Sequence, residues 1–101
     1  MPAVARDGDS TTTGHGCDSV STGTGPTGSS AHVYVNGIPV ECQGNPVAPH
    51  TIPSGPACVP HSAVINVGSS TVFVGGIPIA RVGDSTDGGS IISGSSNVFA
   101  G

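Results

Sequence analysis

Apolar residues in this chain fall in short β-branched runs separated by Gly, Ser, Pro and Asn, and no stretch shows the 3.6-residue spacing of an amphipathic helix. The runs recur. Gly28-Ser29-Ser30-Ala31-His32-Val33-Tyr34-Val35-Asn36-Gly37-Ile38-Pro39-Val40 returns downstream as Gly68-Ser69-Ser70-Thr71-Val72-Phe73-Val74-Gly75-Gly76-Ile77-Pro78-Ile79, and the sequence closes on Gly94-Ser95-Ser96-Asn97-Val98-Phe99-Ala100-Gly101. Each full copy predicts a β-hairpin. A Val/Tyr/Phe strand runs into Asn36-Gly37 or Gly75-Gly76, dipeptides that accept the positive φ of a two-residue turn. The return strand opens with Ile-Pro-Val or Ile-Pro-Ile, where proline suits an edge or a strand start. The first copy holds one extra residue near His32, which predicts a β-bulge and leaves His32 in the bulge or facing solvent.

A second element repeats between the hairpins. Arg6-Asp7-Gly8-Asp9-Ser10-Thr11 resembles Arg81-Val82-Gly83-Asp84-Ser85-Thr86, and Gln43-Gly44-Asn45 stands in the corresponding place after the first hairpin. Asp7, Asp9 and Asp84 fit turn caps that accept nearby backbone N–H groups. His15 follows Asp9 and His50 follows Asn45 at similar offsets, whereas the third unit reads Asp87-Gly88-Gly89, without a histidine.

The stretch from Pro49 to His61 is proline-rich, reads as an irregular loop rather than helix or strand, and carries two imidazoles and a thiol. In Cys58-x-x-His61 a tight turn of the intervening pair would bring both side chains to one ion. His15, His50, Cys58 and His61 then form a four-ligand set of nitrogen and sulfur donors suited to one structural zinc, with Cys17 as the substitute for Cys58. The expected architecture is all-β: a small cone of three hairpin units about a pseudo-threefold axis, with loops converging on zinc near the tip. Glycine would permit close backbone approach at the narrow end.

Composition strengthens the case for a staple. The chain has 101 residues, two Phe, one Tyr and no Trp, so a conventional core would be thin. The 17 Gly and 9 Pro would suggest disorder, but only 8% of residues are charged and the apolar ones are clustered. Small domains with little core rely on metals or disulfides. Three cysteines cannot all pair; Cys17 with Cys42 would leave Cys58 for the metal, and buried free thiols are the plainer expectation in a reducing compartment.

A net charge of −4 with two arginines and no lysine excludes phosphate neutralisation on nucleic acid and binding to anionic membrane surfaces. No apolar run approaches the ~20 residues that span a bilayer, and the N-terminus lacks a secretory pattern. The expectation is cytoplasmic synthesis and assembly, with export only through some apparatus other than the general secretory route.

These motifs resemble the PAAR-repeat family. Pro78-Ile79-Ala80-Arg81 leads into Val82-Gly83-Asp84, matching the family pattern GS-x-x-V-x-x-N-G-x-P-x-A-R-x-G-D. The likeness runs from Arg6-Asp7-Gly8-Asp9 to Phe99 and departs at Pro39-Val40-Glu41-Cys42-Gln43-Gly44-Asn45, where the arginine is missing. The resemblance implies a single PAAR-repeat domain over residues 1–101, without an appended effector domain. It implies a structural, membrane-piercing tip on a trimeric β-helical spike, VgrG-like or a phage central spike, of a contractile injection system such as a type VI secretion system or phage tail. One copy would cap each spike trimer, with effector cargo as a further partner, and the tip would be injected with the spike or form part of a virion tail. Its target membrane would be met only mechanically. Family sites use three histidines and one cysteine, which carry over to His15, His50, Cys58 and His61. Val33, Tyr34, Val35, Val72, Phe73, Val74, Val98 and Phe99 are the expected seat on the spike.

Two other classes compete. A zinc hydrolase needs an open coordination position and a carboxylate base, and Glu41 is the only glutamate, so no catalytic residue is assigned and an enzyme is not expected. A free-standing β-solenoid binding module would share the Gly/Ser/Thr content but have no use for C-x-x-H.

Overall fold

Two-residue turns dictate the fold. In the computed structural model, which describes residues 1–25 and 31–101, ten short strands pair sequentially as five antiparallel hairpins. β1 (Ser10–Thr12) pairs with β2 (Val20–Thr22), β3 (Tyr34–Val35) with β4 (Ile38–Pro39), and β5 (Pro46–Ser54) with β6 (Ala57–Val64). β7 (Phe73–Val74) pairs with β8 (Ile77–Pro78) and β9 (Ser85–Thr86) with β10 (Gly89–Ser90). The domain is all-β and elongated, with extents of 42 × 24 × 23 Å. Asn36 and Gly37, and Gly75 and Gly76, all have positive φ, as the two-residue turns require. Gly28-Ser29-Ser30, which opens the first copy, lies outside the described residues.

Backbone bonds between the hairpins close rings. Ala5 N donates to Ala80 O (3.0 Å), Ala80 N to Glu41 O (2.9 Å), and Glu41 N to Ala5 O (3.0 Å). A neighbouring ring joins Asp7 N to Pro39 O, Gln43 N to Pro78 O, and Val82 N to Ala3 O at 2.8–3.0 Å. Three segments distant in sequence thus satisfy one another's buried peptide groups without a broad sheet. Above and below lie two small cores. One contains Val4, Val40, Cys42, Val74, Ile79 and Ala100; the other contains Ala5, Ile65, Ala80 and Ile91. The Gly-Asp turns are built alike: Asp9 Oδ2 accepts from Arg6 N (2.7 Å) and Nε (3.0 Å), and Asp84 Oδ2 accepts from Arg81 N (2.8 Å) and Nε (3.1 Å).

Two local expectations are corrected. The proline-rich stretch is not an irregular loop but part of β5–β6, the longest hairpin. Each strand of a two-stranded hairpin has an outer edge, where a proline's missing N–H breaks no bond between the two strands, and the register shift between Val47 and His50 takes up Ala48-Pro49. Gly55 (φ 59) and Pro56 form its turn. The extra residue of the first copy forms no bulge; Ala31-His32 lie in a short 3₁₀ turn before β3.

One buried carboxyl breaks the pattern. Gly8 N, Gly44 N and Gly83 N donate to Gly23 O, Ile65 O and Ile91 O, so Gly23 stands where the other units have isoleucine. Glu41 stands where they have Ala5 and Ala80, by its place in the first ring. The two exceptions fit each other: a Cβ on Gly23 would lie 3.2 Å from Glu41 Cδ. The Glu41 side chain fills the space an isoleucine would take, at 1% exposure. Desolvation, with the charges of Asp7 and Asp9, pushes its carboxyl up to about 8 although Asn45 acts in the opposite direction.

Glu41 is therefore protonated in the native state where the unfolded chain, at about 4.5, is ionised. Stability should fall as pH rises from about 4.5 to about 8, by a few kcal/mol at roughly 1.4 kcal/mol per unit. Denaturant titrations across that window should show the slope, and Glu41→Gln should remove most of it. Combining Glu41→Ala with Gly23→Ile should be more stable at pH 8 than either single change, by about 2 kcal/mol or more.

Candidate metal centre

Four loops and strands converge at one place. His15 lies in the β1–β2 connection, His50 on β5, His61 on β6 directly opposite His50 in the register, and Asp87 in the β9–β10 turn. The approach needs glycine. Gly14 (φ 76) lies so close to Gly88 that a Cβ would sit 2.1 Å from the Gly88 carbonyl oxygen. A side chain there would push the His15 loop away from the Asp87 turn. Asp18 Oδ2 accepts from both Thr51 N and Thr51 Oγ1 at 2.8 Å, tying the His15 loop to β5. Asn66 Nδ2 donates to Ser85 Oγ (3.0 Å) and Asp87 O (3.2 Å), fixing the turn in which Asp87 adopts φ 55.

All three imidazoles present Nε2 to one carboxylate. His15 and His50 lie 2.8 Å from Asp87 Oδ2, and His61 lies 3.1 Å from Oδ1. The ring centroids are 5.1–5.2 Å apart. Nδ1 of His15 faces the Gly16 carbonyl at 2.9 Å and Nδ1 of His50 faces the Ala48 carbonyl at 2.8 Å. Carbonyls only accept, so Nδ1 carries the proton in both rings, and a neutral ring then points the Nε2 lone pair at an anion. Protonating all three rings would relieve that conflict but leave an excess of two positive charges in a partly buried cluster. A cation between the four groups resolves it, with Nδ1–H···O=C bonds as the supporting second layer of a metal site. The four donor atoms lie within 4.8 Å of one another.

The surroundings keep the Asp87 carboxyl ionised. Burial raises the Asp87 carboxyl, but bonds from His50, His61 and His15 together outweigh it and hold it down to about 2. The His15 ring is raised, chiefly by its bond to the Gly16 carbonyl and further by Asp87, against desolvation.

Of the expected ligands, the structure gathers His15, His50 and His61 but not Cys58. Cys58 is disulfide-bonded to Cys17, with Cα atoms 5.9 Å apart. The reason is strand geometry: residues three apart on a β-strand face opposite sides, and β6 alternates with Val59, His61 and Ala63 inward and Cys58, Pro60 and Ser62 outward. The tight turn that C-x-x-H required is absent. Cys17 is consequently neither a substitute ligand nor the partner of Cys42, which is a free thiol buried in the first core. The fourth residue of the group that could hold an ion is Asp87. Its signal was in the sequence, since the third unit places an ionisable ligand type where the other units have histidine.

A family model described as the PAAR motif matches residues 16–92, more than half of the chain. The chain belongs to the PAAR-motif family. No curated protein sequence matches the chain. PAAR membership supports a structural role at the spike of type VI secretion and related systems.

Asp87→Asn keeps shape and tolerates the positive φ while removing the charge, and should weaken metal retention at least 10- to 100-fold by competition with a chromogenic chelator. His61→Ala should abolish retention and lower the melting temperature sharply. Cys58→Ser should leave the metal in place.

Proposed function

We propose that this PAAR domain is the tip that caps the blunt end of a trimeric β-helical spike, VgrG-like or a phage central spike, with one copy per trimer and one structural zinc near the point. The observation that carries the reading is where the aromatic side chains lie. Val40 N, Ile79 N and Val4 N donate to Val33 O, Val72 O and Val98 O, which makes Tyr34, Phe73 and Phe99 counterparts in three units. These are all the Phe, Tyr and Trp residues of the chain, and they are 60, 52 and 48% exposed. A domain short of apolar area that leaves every aromatic outside its core has a surface suited to a partner, because aromatic anchors dominate protein interfaces.

Val33, Val72 and Val98 extend the exposed set, whereas Val35 and Val74, also expected in the seat, turn inward onto the first core. Within the strands, alternation sets Tyr34 and Phe73 outward against Val35 and Val74, and Val33 and Val72 lie just before the strands begin. The closed backbone rings support a pseudo-threefold arrangement of the units, which would let a monomer meet a three-chain spike on equivalent terms.

The candidate ligands are His15, His50 and His61 with Asp87. Three nitrogens and one carboxylate oxygen suit zinc, and four protein donors leave no place for a reacting water, which favours cohesion over hydrolysis. Bound there, zinc would supply folding free energy to a narrow end that has no core of its own. The domain would be assembled in the cytoplasm and leave with the spike.

Co-expression with a trimeric spike should give a complex of one copy of this chain per three spike chains, measured by native mass spectrometry. Phe73→Asp should abolish the complex while the isolated domain keeps its metal and its melting temperature within a few degrees, since Phe73 is outside the core. A complex that survives Phe73→Asp combined with Tyr34→Asp would overturn the seat.

A further inference from the structure

The disulfide sits on the face of β6 turned away from the histidines, and it joins the same two pieces that the metal would join. Cys17 lies two residues after His15 in the β1–β2 connection, and Cys58 lies three residues before His61 on β6. Both half-cystines are solvent-exposed, so either sulfur is accessible to a thiol or disulfide reagent. The third thiol offers no competing partner, because Cys42 is buried and desolvation, with Glu41 nearby, pushes it up to about 11. Cys17 (φ 63) occupies a loop whose shape is already fixed. Thr13 Oγ1 donates to Asp18 O at 2.7 Å, and Asp18 holds Thr51 on β5. The two sulfurs are thus set opposite each other by contacts that do not require the bond.

We propose that Cys17 and Cys58 form a compartment-sensitive lock on the apex: two thiols while the chain is in a reducing compartment, one disulfide once it enters an oxidising one. The change of compartment rests on the spike-tip reading above; the chemistry of the pair does not. Closure proceeds by thiol–disulfide exchange with a small disulfide oxidant. One protein thiol loses its proton and its thiolate attacks the oxidant, forming a mixed disulfide and releasing one thiolate, which takes up a proton. The second protein thiol, deprotonated in turn, displaces the other half. Two protein thiols and one oxidant disulfide become one protein disulfide and two small thiols. The lock holds the His15 loop against β5–β6 whether or not an ion is bound, so a tip that loses its metal outside the cytoplasm keeps its point.

The test uses the full chain loaded with zinc and equilibrated with either oxidised or reduced dithiothreitol. Thiol counting in denaturant should give one thiol per chain after oxidation, from Cys42, and three after reduction. Removing the metal with EDTA should then cost the oxidised form much less, leaving its melting temperature on the order of 10 °C above that of the reduced form. Cys17→Ser and Cys58→Ser should each behave like the reduced wild type under both conditions. Three thiols persisting under oxidant would overturn the lock, as would a thiolate-to-cobalt charge-transfer band in the cobalt-loaded reduced protein, because Cys58 would then be a ligand. Equal losses on chelation in both redox states would overturn it too. None of these readouts involves a spike, so failure of spike binding leaves the lock standing and removes only its biological setting.

Discussion

One carboxylate facing three imidazole nitrogens is the interaction on which the narrow end depends. Asp87, His15, His50 and His61 come from three separate hairpin regions, and among the described residues they form the one cluster able to hold an ion. Without a cation, like-charged or lone-pair-bearing groups crowd together; with one, the crowding becomes coordination. Apart from Val47, the buried apolar residues form two small clusters, and neither contains any of these four residues. Outside both clusters, directional bonds do what burial does elsewhere.

The hairpins were legible because their turns leave little choice. Asn36-Gly37 and Gly75-Gly76 accept a conformation most residues avoid, and the alternating strands around them follow. The repeated Arg-x-Gly-Asp turns were equally plain, each Asp binding the backbone and side chain of the arginine three residues earlier. The metal site was only partly legible. Proline density makes the stretch around His50 look irregular, but the outer edge of a two-stranded hairpin accepts a missing N–H without loss of a bond between its strands, and β5–β6 runs through it. Once that stretch is a strand, parity decides the rest. His61 faces His50, Cys58 faces away, and the fourth donor must come from another element. Asp87 is hard to read from the sequence because three histidines and one cysteine already make a four-donor set.

Glu41 and Gly23 show how a repeated architecture tolerates an irregular unit. In two units the space beside the ring holds Ala5 with Ile91 or Ala80 with Ile65, and in the third it holds a buried carboxyl over a bare backbone. Volume is roughly conserved while chemistry is not. The peptide ring survives because it uses only backbone atoms, which are indifferent to the side chain above them. The missing arginine of this unit has the same explanation: Cys42, in its place, turns into the apolar core, and Asn45 N still bonds to Cys42 O as Asp9 N does to Arg6 O and Asp84 N to Arg81 O.

The two ends of the domain solve opposite problems. Around His15, His50, His61 and Asp87, cohesion is internal and is drawn from polar side chains. At the base, Tyr34, Phe73 and Phe99 are held outside the core by the same alternation that sends Val35 and Val74 inward, although the core has few large side chains to spare. A sequence selected for its own stability alone would have reversed those registers by one residue and buried its aromatics, since a one-residue slip exchanges the faces of a strand. Keeping them out lowers the stability of the isolated chain and leaves apolar area for a partner to cover. On the proposed seat, the thin core would be only half of the packing, and the spike would supply the other half.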